Sequence, residues 1–197
     1  MVIVSSNGFR NKDKISELVK TVKNKRVYIC TNAIEKSSSK EKLFSLLKEN
    51  IEDFTKTLEY GELTAENINK YVDFYDCIYM AEGSLQKISD MLSCNEIKEG
   101  LLKFIDSGKL FITEGTSGHI VTDNLEYLNF MIKAVDEENK IYKCLDYKSL
   151  NTLGITNEKY IFHINKLLRK FKGALKLAEK KYRISITEIA DDDFVVV

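Results

Sequence analysis

Two stretches carry residue types and spacings that could do chemistry: Ile78-Tyr79-Met80-Ala81-Glu82-Gly83-Ser84 and Phe111-Ile112-Thr113-Glu114-Gly115-Thr116-Ser117-Gly118. Each is an apolar run that enters a turn of small residues ahead of a helical pattern. Such a junction can form a nucleophile elbow. The strained turn exposes a hydroxyl or thiol, and backbone N–H groups at the helix start hold the oxyanion formed on attack. Ser117 is the hydroxyl placed for that role, with Gly83, Ser84, Glu114, Gly115 and Gly118 around it in the two turns. The plainer reading is that small residues here only let a helix pack on a strand.

An imidazole base would have to be His119 or His163, the two histidines of the chain. His119 follows Ser117 by two residues, too close for a base that acts from across a site. His163 is read at the start of the last long helix, beside its apolar seam, where a surface or capping role is the alternative. Asp136 would orient the base, and Asp146 could also do so. The four cysteines, Cys30, Cys77, Cys94 and Cys144, form no CxxC pair and no metal-ligand spacing. Cys30 ends a strand pattern and Cys77 begins one, so both read as buried small hydrophobes rather than nucleophiles. No metal and no cofactor is expected.

The elements that would position these groups alternate between strand and helix. Strands are expected near residues 2–5, 26–31, 76–81 and 109–113, with a weaker one around Phe54 to Leu58. Helical spacing marks Ile15 to Val22, a stretch around Leu43 to Leu47 after Ser37-Ser38-Ser39, a helix from Thr64, and the stretches Leu85 to Leu92 and Glu96 to Ile105. From Ile161 through Ile164, Leu168, Phe171, Leu175 and Ala178 to Tyr182, apolar residues step by 3 and 4. That pattern predicts one long helix. Ile184-Ser185-Ile186 and Phe194 to Val197 close the chain as strands. Strands separated by helices with short connections predict a mostly parallel sheet covered on both faces. A single α/β domain over 1–197 is expected.

With 197 residues, 44% of them hydrophobic, the chain is long and apolar enough to bury a core. Thirty basic residues balance thirty acidic ones, so no global field draws it to nucleic acid. No run of eighteen apolar residues is present, and membrane association is not expected. The opening Met1-Val2-Ile3-Val4-Ser5 reads as a strand rather than a signal peptide, and reduced thiols with a cytoplasmic location are the expectation.

Several segments, taken in order, resemble a known family. Val2-Ile3-Val4-Ser5-Ser6-Asn7-Gly8 looks like an opening strand with a Ser-Asn-Gly turn. Val27-Tyr28-Ile29-Cys30-Thr31-Asn32-Ala33 is similar to a second strand that usually ends Pro-Thr-Ala. Asp76 to Ser84 resembles a strand ending Gly-Gly-Asn-Thr, and Gly108-Lys109-Leu110-Phe111-Ile112 a strand that delivers a nucleophile. Asp146-Tyr147 with Leu150-Asn151, and Ile189-Ala190 to Val197, resemble the closing segments. Together they resemble the peptidase E family of serine dipeptidases, with its cyanophycinase-like relatives, in the class I glutamine amidotransferase-like superfamily. The resemblance implies a three-layer, flavodoxin-like α/β sandwich and, for an active member, hydrolysis of small dipeptides with an N-terminal aspartate.

The chain departs from the family at three places. The family elbow is Gly-x-Ser-Ala-Gly; an ungapped match places Thr113-Glu114-Gly115-Thr116-Ser117 there, with Gly115 at the nucleophile position. A two-residue shift gives Gly115-Thr116-Ser117-Gly118-His119, with Ser117 as nucleophile. The Gly-Gly-Asn-Thr turn is replaced by Glu82-Gly83-Ser84-Leu85. The family histidine matches His163 with a few inserted residues, and Tyr160 without them.

Three readings follow. In the first, a divergent peptidase E-like protein has lost most or all serine dipeptidase activity and keeps a ligand pocket. In the second, a serine hydrolase acts on Asp-X dipeptides, with Ser117 attacking, His163 as base, Asp136 orienting it, and Gly83 and Gly118 N–H groups holding the oxyanion. In the third the protein is structural. The expected partners are a small peptide or an acidic small molecule and, for assembly, a second copy in a homodimer.

Overall fold

The structure, a computed structural model, describes residues 1–12, 15–133, 147–163 and 169–197. Buried β-branched and aromatic runs form the strands, and amphipathic stretches return the chain between them. In chain order the elements begin with β1 (Val2–Ser5), α1 (Ser16–Val22), β2 (Arg26–Cys30), α2 (Ser37–Ile51) and β3 (Thr57–Gly61). Next come α3 (Ile68–Phe74), β4 (Cys77–Met80), α4 (Leu85–Leu92), α5 (Asn95–Asp106) and β5 (Leu110–Glu114). A 3₁₀ segment (Gly115–Val121) leaves β5 and is followed by α6 (Glu126–Lys133), β6 (Lys159–Phe162), α7 (Arg169–Tyr182), β7 (Ile186–Ile189) and β8 (Phe194–Val196).

Six strands form one sheet in the order β3-β2-β4-β5-β1-β8. All neighbours are parallel except β8, which runs antiparallel to β1. Strands β6 and β7 pair in parallel as a separate ribbon. Alternation along the central strands sends side chains to opposite faces. Val2, Val4, Ile78, Met80 and Phe111 join a core with residues of α3 to α7, whereas Ile3, Cys77, Tyr79 and Ile112 join a second core with residues of α1 and α2. The result is the three-layer α/β arrangement that the alternating pattern predicts.

Two expectations need correction. Ile161 lies in β6, not at the head of a helix. Tyr160, Ile161 and Phe162 are all fully buried, and a strand covered on both faces shows a continuous apolar run that mimics a helical seam. The seam itself holds further on, where Leu175 and Ala178 of α7 are buried. The weak strand begins later, at Thr57, because Glu52–Phe54 is a 3₁₀ turn. No described helix is long and apolar enough to cross a membrane.

Candidate functional site

The carboxyl ends of β1, β4 and β5 adjoin at one edge of the sheet: Ser5 pairs with Glu114, and Met80 with Thr113. In open α/β sheets, this edge is where ligands bind. The chain reaches it again twice, after β6 at His163 and between β7 and β8 at Asp191. His163 adopts φ 55°, a left-handed conformation rare for a residue with a side chain, and is 6% exposed. Its Nδ1 lies 3.0 Å from Asp191 Oδ1 and 3.2 Å from Ser6 Oγ, and its Nε2 lies 2.8 Å from Glu82 Oε1. Its backbone N–H donates to Ser6 Oγ at 3.3 Å. A ring with carboxylate oxygens at both nitrogens is best satisfied as a donor at both, the imidazolium form.

Glu82 is held as a charge. Burial alone would raise its carboxyl, but the hydrogen bond and charge of His163, with Arg10 adding, outweigh it and lower the pKa. Behind it, Glu114 is fully buried and forms a two-pronged ion pair with Arg10, Nε to Oε1 and Nη2 to Oε2. Burial raises the Glu114 carboxyl, against the pull of Arg10 and of the Glu82 N–H, which donates to Oε2 at 3.1 Å. The loop bearing Arg10 is fastened by the Asn50 amide, which donates to the Phe9 carbonyl at 2.7 Å.

The turn after β5 is a sharp one, and its positive φ belongs to Gly115, at 53°. A Cβ on Gly115 would overlap the Glu82 carboxylate. Glu82 therefore occupies the space that a side chain at position 115 would need, and presents its oxygen to His163 there. Ser117 stands differently. It is fully buried, its Oγ accepts from the Glu114 N–H at 2.9 Å, and its hydroxyl faces the carbonyls of Glu114 at 2.7 Å and Met80 at 2.9 Å. With Glu114 it completes a capping box at the start of the 3₁₀ segment. The structure brings Gly83, Gly115, Glu114 and His163 together at the sheet edge; Ser117 is committed to the backbone beneath them.

The other sequence candidates are placed as follows. Gly83 lies under the Ala33 carbonyl, which a Cβ would strike, and its own carbonyl accepts from Thr116 Oγ1 at 2.8 Å. Ser84 caps α4 by accepting from the Lys87 N–H at 3.4 Å. Gly118 packs against Phe162 and Val4 in the core. His119 is fully buried with Nδ1 3.0 Å from Tyr127 Oη, and burial pushes its pKa down to about 3. Tyr160 is buried in β6, and its hydroxyl donates to Glu158 Oε2 at 2.9 Å. Asp136 lies outside the described residues, as does Asp146. Cys30 and Cys77 are buried, with burial raising both thiols.

Sequence reasoning missed Ser6, Arg10 and Asp191 as members of this site. In the sequence, Ser6 shows only as part of the Ser-Asn-Gly turn and Glu82 only as a member of the turn after the strand at 76–81. Asp192 also reaches the edge, with φ 68°; its carboxylate accepts from the Asn7 amide at 3.0 Å and the Asn11 amide at 3.1 Å. These groups border a cleft of about 690 Å³, lined by Asn7, Arg10, Glu82, Thr116, His163 and Asp192 among others. A recess of about 320 Å³ adjoins it across Arg10 and Glu82, lined by Ile34, Leu43 and Leu46 with Lys42. Among the described residues, no group of three or more His, Cys, Asp or Glu is arranged to hold a metal ion.

No protein-family model matches the chain, and no curated protein is significantly similar to it in sequence. Solved structures are similar in fold. A protein of Listeria monocytogenes EGD-e, provisionally named peptidase E, superposes with a TM-score of 0.66 at 19% identity, covering 100% of this chain and 93% of that one. A peptidase from an acI-B1 actinobacterium gives a TM-score of 0.61 at 15% identity, covering 88% of this chain and 74% of that one. The chain has the peptidase E-like fold.

Proposed function

We propose that this protein is a peptidase E-like protein without serine dipeptidase turnover, whose cleft binds a small ligand and releases it unchanged. One observation carries the reading: Gly115 holds the positive-φ position after β5, and the Glu82 carboxylate fills the space beside it and hydrogen-bonds His163 Nε2. Covalent acyl transfer needs a hydroxyl or thiol within hydrogen-bond reach of its base. Here the nitrogen that would take that proton faces a carboxylate instead. The same carboxylate opposes an oxyanion developing at the edge, by roughly a kcal/mol or more at close range even in a polar setting. Catalytic groups of this kind act as a unit, and loss of the nucleophile alone can cost about 10⁶-fold.

The test is an assay of the purified chain against an Asp-X dipeptide panel, beside Ser117→Ala and His163→Ala. We expect no amino-acid release above buffer for any of the three. Robust release by the native chain, lost in both variants, would overturn this reading and establish Ser117 as the nucleophile.

A further inference from the structure

We infer that the ligand of this cleft presents a primary ammonium next to an apolar chain, as the free amino terminus of an apolar peptide does. The inference rests on the reading of the cleft as a binding site. It starts from the charges that a ligand would meet. Glu82, Asp191 and Asp192 line the cleft, and Glu114 stands behind it. Among the described residues, the cations that line the cleft are Arg10 and His163, and each already faces a carboxylate: Arg10 faces Glu114, and His163 faces both Glu82 and Asp191. Among the described residues, three lining carboxylates, with Glu114 behind them as a fourth, therefore outnumber two lining cations, even with His163 charged. A low-dielectric wall with this balance attracts a cation and repels an acid.

Asp192 is the least neutralised of the four. Its hydrogen-bond partners are the neutral side-chain amides of Asn7 and Asn11, which hold the carboxylate in place without cancelling its charge. A carboxylate fixed in this way at a cleft wall can accept from an ammonium with no further ordering cost.

The second half of the inference comes from the adjoining recess. Arg10 and Glu82 are shared by the two cavities, so a ligand whose ammonium meets the acidic wall extends toward Ile34, Leu43 and Leu46. Those side chains offer apolar contact, and Lys42 at the recess suits a carboxylate at the far end. A short apolar peptide has all three features in that order. An N-terminal aspartate would instead bring its side-chain carboxylate to the acidic wall. The pocket thus favours a ligand whose first residue lacks the side-chain carboxylate that the sequence resemblance implies.

The experiment is calorimetric titration of the full chain at pH 7 and low salt with Leu-Leu, N-acetyl-Leu-Leu, Asp-Leu and 1-aminohexane. Leu-Leu is expected to bind, and acetylation to weaken it by about tenfold or more, the size of one lost charge-assisted hydrogen bond. Asp-Leu should bind more weakly than Leu-Leu. Asp192→Asn should weaken Leu-Leu about tenfold and leave N-acetyl-Leu-Leu unchanged; the ligand-side comparison stands even if that variant folds poorly. Binding of 1-aminohexane as tight as that of Leu-Leu would identify a free amine as the source of the ammonium, and much weaker binding a peptide terminus. Either supports the inference. Equal or tighter binding of the acetylated peptide, Asp-Leu as the tightest probe, or no binding of any amine at millimolar concentration would overturn it. Leucine release in the same samples would overturn the reading of a centre without turnover and leave the ligand class standing.

Discussion

Glu82 and Glu114 stand at the ends of neighbouring strands, and they show how one residue type can serve two ends of the same site. Glu114 closes β5, is fully buried, and has an arginine locked onto both of its oxygens. Glu82 lies just past β4, borders the cleft, and shares a histidine with Asp191. Burial is the largest single influence on both; at Glu114 it prevails and the pKa rises, whereas at Glu82 His163 and Arg10 together outweigh it and the pKa falls. The difference teaches that Glu114 holds the floor of the site together, while Glu82 sets what the cleft presents to a ligand. Substitutions should separate these two roles.

The largest expected effect is at the floor. Arg10→Met leaves the buried Glu114 charge without its partner, and breaking a buried pair from one side costs about 3 kcal/mol or more at pH 7. Urea denaturation should show this loss, and should show part of it recovered as pH falls and Glu114 takes up a proton. The double variant Arg10→Met/Glu114→Gln should lie well above the single one. A single variant as stable as the native chain would mean that the pair is not what holds Glu114.

Next comes the boundary between the two glutamates. Gly115→Ser forces a side chain into a positive-φ site and onto the Glu82 carboxylate, at a cost of about 2 kcal/mol. Adding Glu82→Ala removes the collision, so the double variant should be more stable than the sum of the singles by about 1 kcal/mol. It would also put a hydroxyl beside His163. We expect slow hydrolysis of an activated ester by the double variant and not by either single variant. Additive stabilities would show that Glu82 does not fill the space at position 115.

Ser117→Ala is the third step. Its hydroxyl satisfies the Glu114 N–H and faces two carbonyls. Losing a cap of this kind costs about 1–2 kcal/mol. The melting temperature should fall while ligand affinity holds. A change in affinity with no change in stability would contradict its place beneath the cleft.

Much of this comparison is legible in the sequence, and the rest is hidden for definite reasons. The strands around residues 2–5, 26–30, 77–80 and 110–114 show as apolar runs ended by turn residues, so the sheet edge and its two turns can be read directly. The ungapped match that puts Gly115 at the elbow agrees with the residue that takes positive φ, whereas the shifted match to Ser117 falls on a buried cap. His163 is hidden from local pattern, because the buried strand β6 imitates the start of a helical seam. Asp191 is 28 residues from His163, Glu82 is 81 away and Ser6 is 157 away. Local spacing carries no information about contacts at such separations; only the sheet order brings these residues to one edge.

The smallest expected effect, and the one that most directly contrasts the two glutamates, is the response to acid. Glu82 has a lowered pKa in the folded chain, so the stability it contributes is present above the ordinary carboxylate pKa of about 4.3 and is lost as pH falls through its folded value. Glu114 has a raised pKa, so its contribution runs the other way: full below the ordinary value, and lost as pH rises through the folded one. His119, buried with a pKa of about 3, adds a loss of up to about 1.4 kcal/mol per pH unit as pH falls below 6.5. That loss is common to the native chain and to Glu82→Gln, and it cancels in their difference. The difference should be about 1 kcal/mol near pH 6, the size of a partly exposed charged hydrogen bond. It should shrink as pH falls below about 4.3 and through the lowered folded value, as followed by urea denaturation at half-unit steps. A difference that stayed flat or widened on acidification would mean that His163 does not hold the Glu82 charge, and that the two glutamates differ in burial alone.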